Sequence, residues 1–226
     1  MKKRFIMSKN DGSEKVCMVQ EGAPIEASVS CEEEANGEEL SVIYTVNNHL
    51  YFYRGITDES AALFNKTLNE MYFDLITAMV SSGLSGPTIE VHIKSSGGDA
   101  TAAFAMVKKI KELQNGFGVI PVPVKVNTHI EGEACSAASL IGCVGSYRTI
   151  SEYSVAMIHN GSGGYVGKPE EIEDYMTNYK VLIGNMRKIY KANSKLTDEI
   201  LDAKLKNDLY FDAETCLRYG LVDEIV

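Results

Sequence analysis

The residues best suited to chemistry lie where strand-like runs give way to small residues. Ser136 follows a run rich in Val, Thr and Ile, and His159 follows a second apolar run. A serine hydroxyl at a strand-to-helix turn lies beside backbone N–H groups, so a nucleophile and an oxyanion hole can share that corner. A neutral histidine within reach is the general base that such a serine needs. The alternative interpretation is that Ser136 only caps a helix and that His159 is structural.

A Gly-Gly pair and a carboxylate complete the set of candidates. Gly97-Gly98 follows the alternating run 88–93, and glycine lets backbone approach a ligand without a Cβ in the way. Because open α/β sheets place their sites at the carboxyl ends of strands, this pair is expected near Ser136 and His159. A carboxylate must also orient the imidazole. The residues themselves leave it open among Asp99, Asp174, Asp202, Asp208 and Asp212.

Composition and charge exclude several classes of protein. The chain has 226 residues, 45% of them hydrophobic, which is enough for one core. Its net charge of −9 argues against a nucleic-acid-binding surface, and no apolar run reaches membrane-spanning length. Five scattered cysteines without a CxxC pair indicate a reducing, cytoplasmic location. The four histidines lack metal-ligand spacing, so no metal site is predicted.

Hydrophobic periodicity places the candidates in β-α-β units. Residues 1–40 read as an acidic arm, and residues 41–226 as one domain without an internal boundary. The predicted strands are 41–46 and 49–53 as a hairpin, then 88–93, 122–130, 146–150, 154–158 and 221–226. Helices are predicted over residues 57–82, 169–192 and 213–219. Three further helices are predicted to begin after Asp99, at Ser136 and at Thr197. The stripe on 169–192 is broad, which indicates burial on two sides, as between subunits.

Several motifs, in order, resemble those of the Clp protease proteolytic subunit, the ClpP family. They are IKSSGG at 93–98, GEACSAA at 132–138, MIHN at 157–160, GGYVG at 163–167 and the run 208–223 that ends in YGLVD. Together they cover about residues 49–226 at similar spacing, which is far more specific than any single motif.

The resemblance implies a spiral of β-α-β units with a handle helix, an architecture that ClpP shares with crotonases. It also implies a serine endopeptidase with a triad of Ser136, His159 and Asp208. The oxyanion hole would be formed by the backbone N–H groups of Gly98 and Ala137. Unfolded polypeptides would pair as added strands with two segments, Gly97-Gly98 and Asn160-Gly161.

The same resemblance implies an assembly. Family members form heptameric rings, and two stacked rings, a tetradecamer, enclose a chamber that an AAA+ unfoldase feeds using ATP. The long helix 169–192 and the strand 163–167 would form the contact between the rings. The subunit itself would need no cofactor.

Some positions depart from the family pattern. Ser96 replaces a usual proline, Glu133 a glutamine and Ala137 a methionine, and residues 1–40 do not resemble the family's short N-terminal loop. These departures indicate a divergent member, of the kind that bacteriophages also encode, some for capsid maturation. Two other functions therefore stay open: a non-catalytic or capsid-maturation ring protein, and a crotonase-type acyl-CoA enzyme.

Overall fold

The chain forms two compact units, Met1–Glu39 and Leu40–Val226. In the first unit, β1 (Lys3–Asn10) pairs antiparallel with β2 (Ser13–Gln20), a hairpin that the sequence analysis did not predict. The Asp11-Gly12 dipeptide between them in the sequence is a strong hairpin signal. The acidic composition of residues 1–40 instead led to the prediction of an arm. The rest of the predicted acidic arm lies outside the described residues. This computed structural model describes residues 3–10, 13–20, 42–83, 86–118 and 122–226.

The second unit alternates strands and helices in nearly the predicted order. Its strands are β3 (Val42–Val46), β4 (His49–Tyr53), β5 (Thr88–Ser95), β6 (Lys125–Cys135), β7 (Arg148–Ile150), β8 (Val155–Met157), β9 (Tyr210–Phe211) and β10 (Glu224–Ile225). Its helices are α1 (Asp58–Ser82), α2 (Ala100–Asn115), α3 (Ala137–Gly142), α4 (Pro169–Asn193), α5 (Asp198–Lys204) and α6 (Ala213–Arg218). The predicted closing strand over 221–226 is shorter than expected, and β9 was not predicted.

One eight-stranded sheet organises this unit, in the order β10-β7-β6-β5-β4-β3. Along this path, β3 and β4 pair antiparallel, and all the other neighbouring strands pair parallel. Strand β8 adds to β6 in parallel, and β9 pairs antiparallel with β8. The mixed α/β architecture, built from parallel β-α-β units, confirms the predicted fold class.

Strand β6 is longer than predicted and changes partner along its length. The predicted strand was 122–130, whereas β6 begins at Lys125 and continues to Cys135. Residues 128–130 pair with β7, and residues 133–135 pair with β8. The change occurs around Gly132, which has a positive φ of 87°, and the register against β5 shifts at the same level. This irregularity brings β8 beside the end of β6, immediately before Ser136.

The core lies on one face of the sheet, where β4, β5 and β6 alternate buried with less buried residues. Helix α1 begins at the N-cap Thr57, as predicted, and packs Phe64 and Leu68 against this face. Burial of this apolar surface is the main favourable contribution to folding. Other members of the core cluster are Leu50, Phe52, Ile89, Val91, Ile93, Met106, Ile110 and Leu113.

Within the chain, little of helix α4 is buried, so the predicted burial of its broad apolar stripe between subunits stays a prediction. Only Met186 and Tyr190 on this helix are buried. Ile172, Met176 and Val181 are 40%, 45% and 58% exposed, although apolar side chains normally avoid such exposure in patches. Among the described residues, no helix combines the length and apolarity needed to cross a membrane.

The opposite face of the sheet carries stacked aromatic rings across four strands. The ring centroids of Tyr44 and Tyr51, of Tyr51 and His92, and of His92 and His129 lie 4.6, 4.4 and 4.8 Å apart. This spacing follows the separation of neighbouring strands, about 4.8 Å. His92 Nδ1 lies 2.7 Å from Glu131 Oε1, and its Nε2 lies 2.8 Å from His49 Nδ1.

This histidine cluster predicts a loss of stability at mildly acidic pH. Burial lowers the pKa of His92, and the neighbouring His129 and His49 act in the same direction, whereas Glu131 opposes the shift. The unfolded chain therefore binds more protons near the usual histidine pKa of about 6.5, so the free energy of unfolding falls as the pH drops through that range.

We expect urea denaturation at pH 7.5 and at pH 5.5 to show this decrease in the wild type. The variant His92→Gln should flatten it, because an amide can donate to Glu131 and accept from His49 without titrating. An unchanged difference between the two pH values in this variant would contradict the assignment to His92.

Candidate active site

Ser136 lies in the turn between β6 and α3 with an unusual backbone conformation. Its φ of 53° and ψ of −125° are outside the regions that non-glycine residues favour. Its N–H donates to the Met157 carbonyl over 2.7 Å, which ties the turn to the end of β8. The side chain makes no capping hydrogen bond to α3. The geometry therefore does not agree with the alternative interpretation of Ser136 as a simple helix cap.

His159 reaches Ser136 because β8 lies next to the last part of β6. The two strands pair Cys135 with Met157, so the residues that follow them emerge side by side. The distance between His159 Nε2 and Ser136 Oγ is 2.8 Å. The next residue is fixed from two sides: the Asn160 N–H donates to the Leu205 carbonyl over 2.8 Å, and the Tyr179 hydroxyl donates to the Asn160 carbonyl over 2.6 Å.

Asp208 is brought to the imidazole by the short strand β9. Because β9 is antiparallel to β8 and pairs Tyr210 with Met157, the residues before β9 lie beside the residues after β8. Asp208 Oδ1 lies 2.7 Å from His159 Nδ1. An ionised carboxylate only accepts hydrogen bonds, so Nδ1 carries the hydrogen and the neutral ring presents an unprotonated Nε2 to the serine hydroxyl. The aspartate side chain is 71% exposed, whereas that of the histidine is 11% exposed.

The other four aspartates have different partners. Asp99 caps α2, where its carboxylate accepts from the Ala102 N–H over 2.7 Å. Asp212 caps α6, and Asp202 pairs with an arginine of α4. Asp174 is exposed on α4. Of the five aspartates that the sequence left open, only Asp208 contacts His159 in the described part of the chain.

Gly97-Gly98 runs beside the serine turn, and both positions need glycine. Gly98 has φ 143°, and a Cβ there would lie 2.1 Å from the Ile56 carbonyl oxygen. A Cβ at Gly97 would lie 2.8 Å from Ser136 Cβ. Hydrogen bonds from the Ile56 N–H to the Gly97 carbonyl (2.7 Å) and from the Asp99 N–H to the Ile56 carbonyl (2.9 Å) fix the segment. In this parallel pairing, Gly98 directs its own N–H away from Ile56.

A cavity of about 480 Å³ opens beside the serine and the histidine. Gly98, Ala137, Asn160 and Gly161, for which the family resemblance implies contact with substrate, line this cavity, while Gly97, for which it implies the same, packs underneath the serine turn. One wall is formed by α4 and was not predicted, although the broad apolar stripe of that helix was a usable signal. Its side chains are Tyr175, Tyr179, Leu182, Ile183 and Met186.

Cys135 precedes the serine but has the character of a core residue. Its exposure is 3%, and burial together with the nearby Glu133 carboxylate raises the pKa of the thiol to about 12. The thiol is therefore protonated at neutral pH and is a poor nucleophile. Among the described residues, no group of three or more His, Cys, Asp or Glu side chains is arranged to hold a metal ion.

Comparison with known protein families agrees with these features. A family model described as Clp protease matches residues 50–226, nearly the extent over which the motifs show their resemblance. The chain therefore belongs to the Clp protease family. Its mixed α/β fold is consistent with the ClpP type, and the family assignment supports a peptidase, which is a hydrolase of peptide bonds.

Proposed function

We propose that this protein is a serine endopeptidase in which Ser136 is the nucleophile, His159 the general base and Asp208 the group that orients the imidazole. The observation that carries the proposal is the continuous chain of contacts among the three side chains. It joins Ser136 Oγ to His159 Nε2 over 2.8 Å and His159 Nδ1 to Asp208 Oδ1 over 2.7 Å. This arrangement suits acyl transfer through a serine ester.

In the proposed reaction, His159 Nε2 takes the hydroxyl proton while Ser136 Oγ bonds to the carbonyl carbon of the scissile peptide. The carbonyl electron pair moves to oxygen, and this oxyanion accepts hydrogen bonds from the N–H groups of Gly98 and Ala137. Both residues line the cavity, and within the described chain neither N–H donates to a protein acceptor. The C–N bond then breaks as the imidazolium protonates the amine. Water, deprotonated by the same imidazole, hydrolyses the acyl-enzyme.

The proposed substrates are unfolded polypeptides bound in extended form. Of the segments Gly97-Gly98 and Asn160-Gly161 beside the serine, Gly98 and Gly161 offer backbone groups for pairing with an added strand, a mode that reads backbone more than side chains. The backbone groups of Gly97 and Asn160 already have partners within the chain and hold the two segments in place. The wall formed by α4 favours an apolar residue in the cavity, because tyrosine, leucine, isoleucine and methionine side chains line it.

We further propose that the subunits assemble into homo-oligomeric rings, as heptamers that can pair into a tetradecamer, and that these rings work in the cytoplasm with an AAA+ unfoldase using ATP. The family assignment and the exposed apolar side chains of α4 support the assembly. Native mass spectrometry should give a heptamer or a double ring. A monomer or a trimer at micromolar concentration would contradict the ring proposal.

A fluorophosphonate probe tests the proposed chemistry directly. The wild-type protein should be labelled, and peptide mapping should place the adduct on Ser136 rather than on Cys135. Absence of labelling in an assembled ring would contradict the peptidase proposal. In that case, calorimetry with coenzyme A would test the crotonase-type alternative.

A further inference from the structure

A buried hydrogen-bond chain links α4 to the serine turn. The Ser139 hydroxyl donates to the Ser136 carbonyl oxygen over 2.6 Å, and the Ser139 N–H donates to the same oxygen over 3.1 Å. Ser139 Oγ also lies 2.7 Å from the Tyr190 hydroxyl. Because the single hydrogen of Ser139 Oγ is committed to the carbonyl, the Tyr190 hydroxyl must donate to Ser139. The two side chains are 2% and 0% exposed, so water does not compete for these groups.

The carbonyl at the end of this chain belongs to the same peptide unit as the N–H of Ala137. In a trans peptide, the C=O and N–H bonds point in opposite directions. The structure contains no cis peptide among its described residues. The two donors from Ser139 hold the Ser136 carbonyl towards the protein interior. The Ala137 N–H therefore points away from the interior, towards the cavity that Ala137 lines.

The orientation of this peptide needs an external restraint. Ser136 has φ 53° and ψ −125°, a combination that is unfavourable for a non-glycine residue and persists only where its surroundings hold it. Rotation of the Ser136–Ala137 peptide plane changes ψ of Ser136 and φ of Ala137 and would turn the Ala137 N–H out of the cavity. The rotation would also break both hydrogen bonds to the Ser136 carbonyl and leave a buried oxygen without a partner, so these two bonds hold the peptide in its observed orientation.

We propose that Tyr190 and Ser139 are positioning residues that lock the Ser136–Ala137 peptide and thereby aim the oxyanion-hole N–H of Ala137. This inference rests on the proposed function. The hydroxyl of Tyr190 does not touch substrate and acts only through Ser139. This role requires that the end of α4 remain packed on α3 for the oxyanion hole to form. None of the sequence motifs indicates this requirement.

The test compares two buried tyrosines that each lose one oxygen atom. Tyr190→Phe removes the donor to Ser139. Tyr72→Phe is the matched control, because Tyr72 is 1% exposed and its hydroxyl lies 3.0 Å from the carbonyl oxygens of Phe117 and Val122, away from the serine turn. We expect Tyr190→Phe to lower kcat for a chromogenic peptide about tenfold at unchanged KM, a part of the effect of losing an oxyanion-hole donor. Tyr72→Phe should retain the wild-type kcat.

A second readout separates positioning from a loss of stability. A peptide boronic acid forms a tetrahedral adduct with the serine, and one boronate oxygen occupies the oxyanion hole. Tyr190→Phe should weaken inhibition by the boronic acid about tenfold, in parallel with kcat. Ser139→Ala should produce the same two changes, and the double variant should add little to either, since both residues act along one chain.

The outcomes distinguish the two proposals. If the wild type neither hydrolyses the peptide nor binds the boronic acid, the peptidase proposal is wrong and this inference falls with it. If the wild type is active and Tyr190→Phe matches Tyr72→Phe in kcat and in inhibition, the inference alone is overturned. If Tyr190→Phe does not fold, Ser139→Ala decides by the same criteria.

Discussion

Replacement of Ser136 by alanine is expected to reduce the kcat for peptide hydrolysis by about 10⁵-fold or more. The variant keeps His159, Asp208 and the cavity but has no atom that can form the acyl-enzyme. Loss of the nucleophile or of the general base in such a triad costs almost as much as loss of all three groups, because they act as a unit. A small rate above the uncatalysed reaction should remain, since bound substrate still meets the backbone N–H groups. Steady-state kinetics with a fluorogenic peptide measure the loss.

The matched control for this prediction is the neighbouring Cys135→Ala. It also removes one heteroatom from the serine motif, but this thiol is buried and protonated. The kcat of Cys135→Ala should stay within about threefold of the wild type, allowing for a small packing defect. Activity that survives in Ser136→Ala and disappears in Cys135→Ala would overturn the assignment of the nucleophile.

Asp208→Asn is expected to lower kcat by about 10³–10⁴-fold while KM changes little. The present carboxylate accepts from His159 Nδ1 and leaves Nε2 free to take the serine proton. An asparagine amide can present its NH₂ group to Nδ1 instead, which favours the tautomer with hydrogen on Nε2. That tautomer directs a donor at the serine hydroxyl and cannot accept its proton. The imidazolium that forms during catalysis also loses its negative partner.

Asp202→Asn is the matched control, because it makes the same chemical change at an exposed carboxylate, one that pairs with Arg187 rather than with His159. Exposed ion pairs contribute little, so kcat should remain within about twofold of the wild type. Kinetics at pH 7.5 on both variants, with circular dichroism to verify folding, make the comparison. Equal activities in the two variants would show that Asp208 does not orient His159.

The residues of the candidate site that follow strands could be predicted from the sequence, because strand ends are local features. Ser136 and His159 follow recognisable apolar runs, and the Gly-Gly pair follows an alternating strand. Asp208 could not be chosen on physical grounds, because it precedes a strand of only two residues that is defined by its pairing with β8. Only the family resemblance selected it among the five aspartates.

The parts of the fold that were not predicted depend on contacts distant in sequence. Strand β6 continues through Gly132 because β5 and β8 pair with its second half, which local propensity does not reveal. The contact of α4 with the cavity was not predicted, and the burial of its exposed apolar residues between subunits stays a prediction. The bond between Ser139 and Tyr190 joins residues 51 positions apart.

The left-handed backbone of Ser136 has an evolutionary consequence. Glycine would adopt φ 53° without the penalty that serine bears there, so Ser136→Gly would relieve this strain at the expense of the hydroxyl. The proposed role of Ser136 as nucleophile accounts for a serine in that conformation, because folding alone would favour glycine. The turn is therefore a local example of the trade-off between stability and activity.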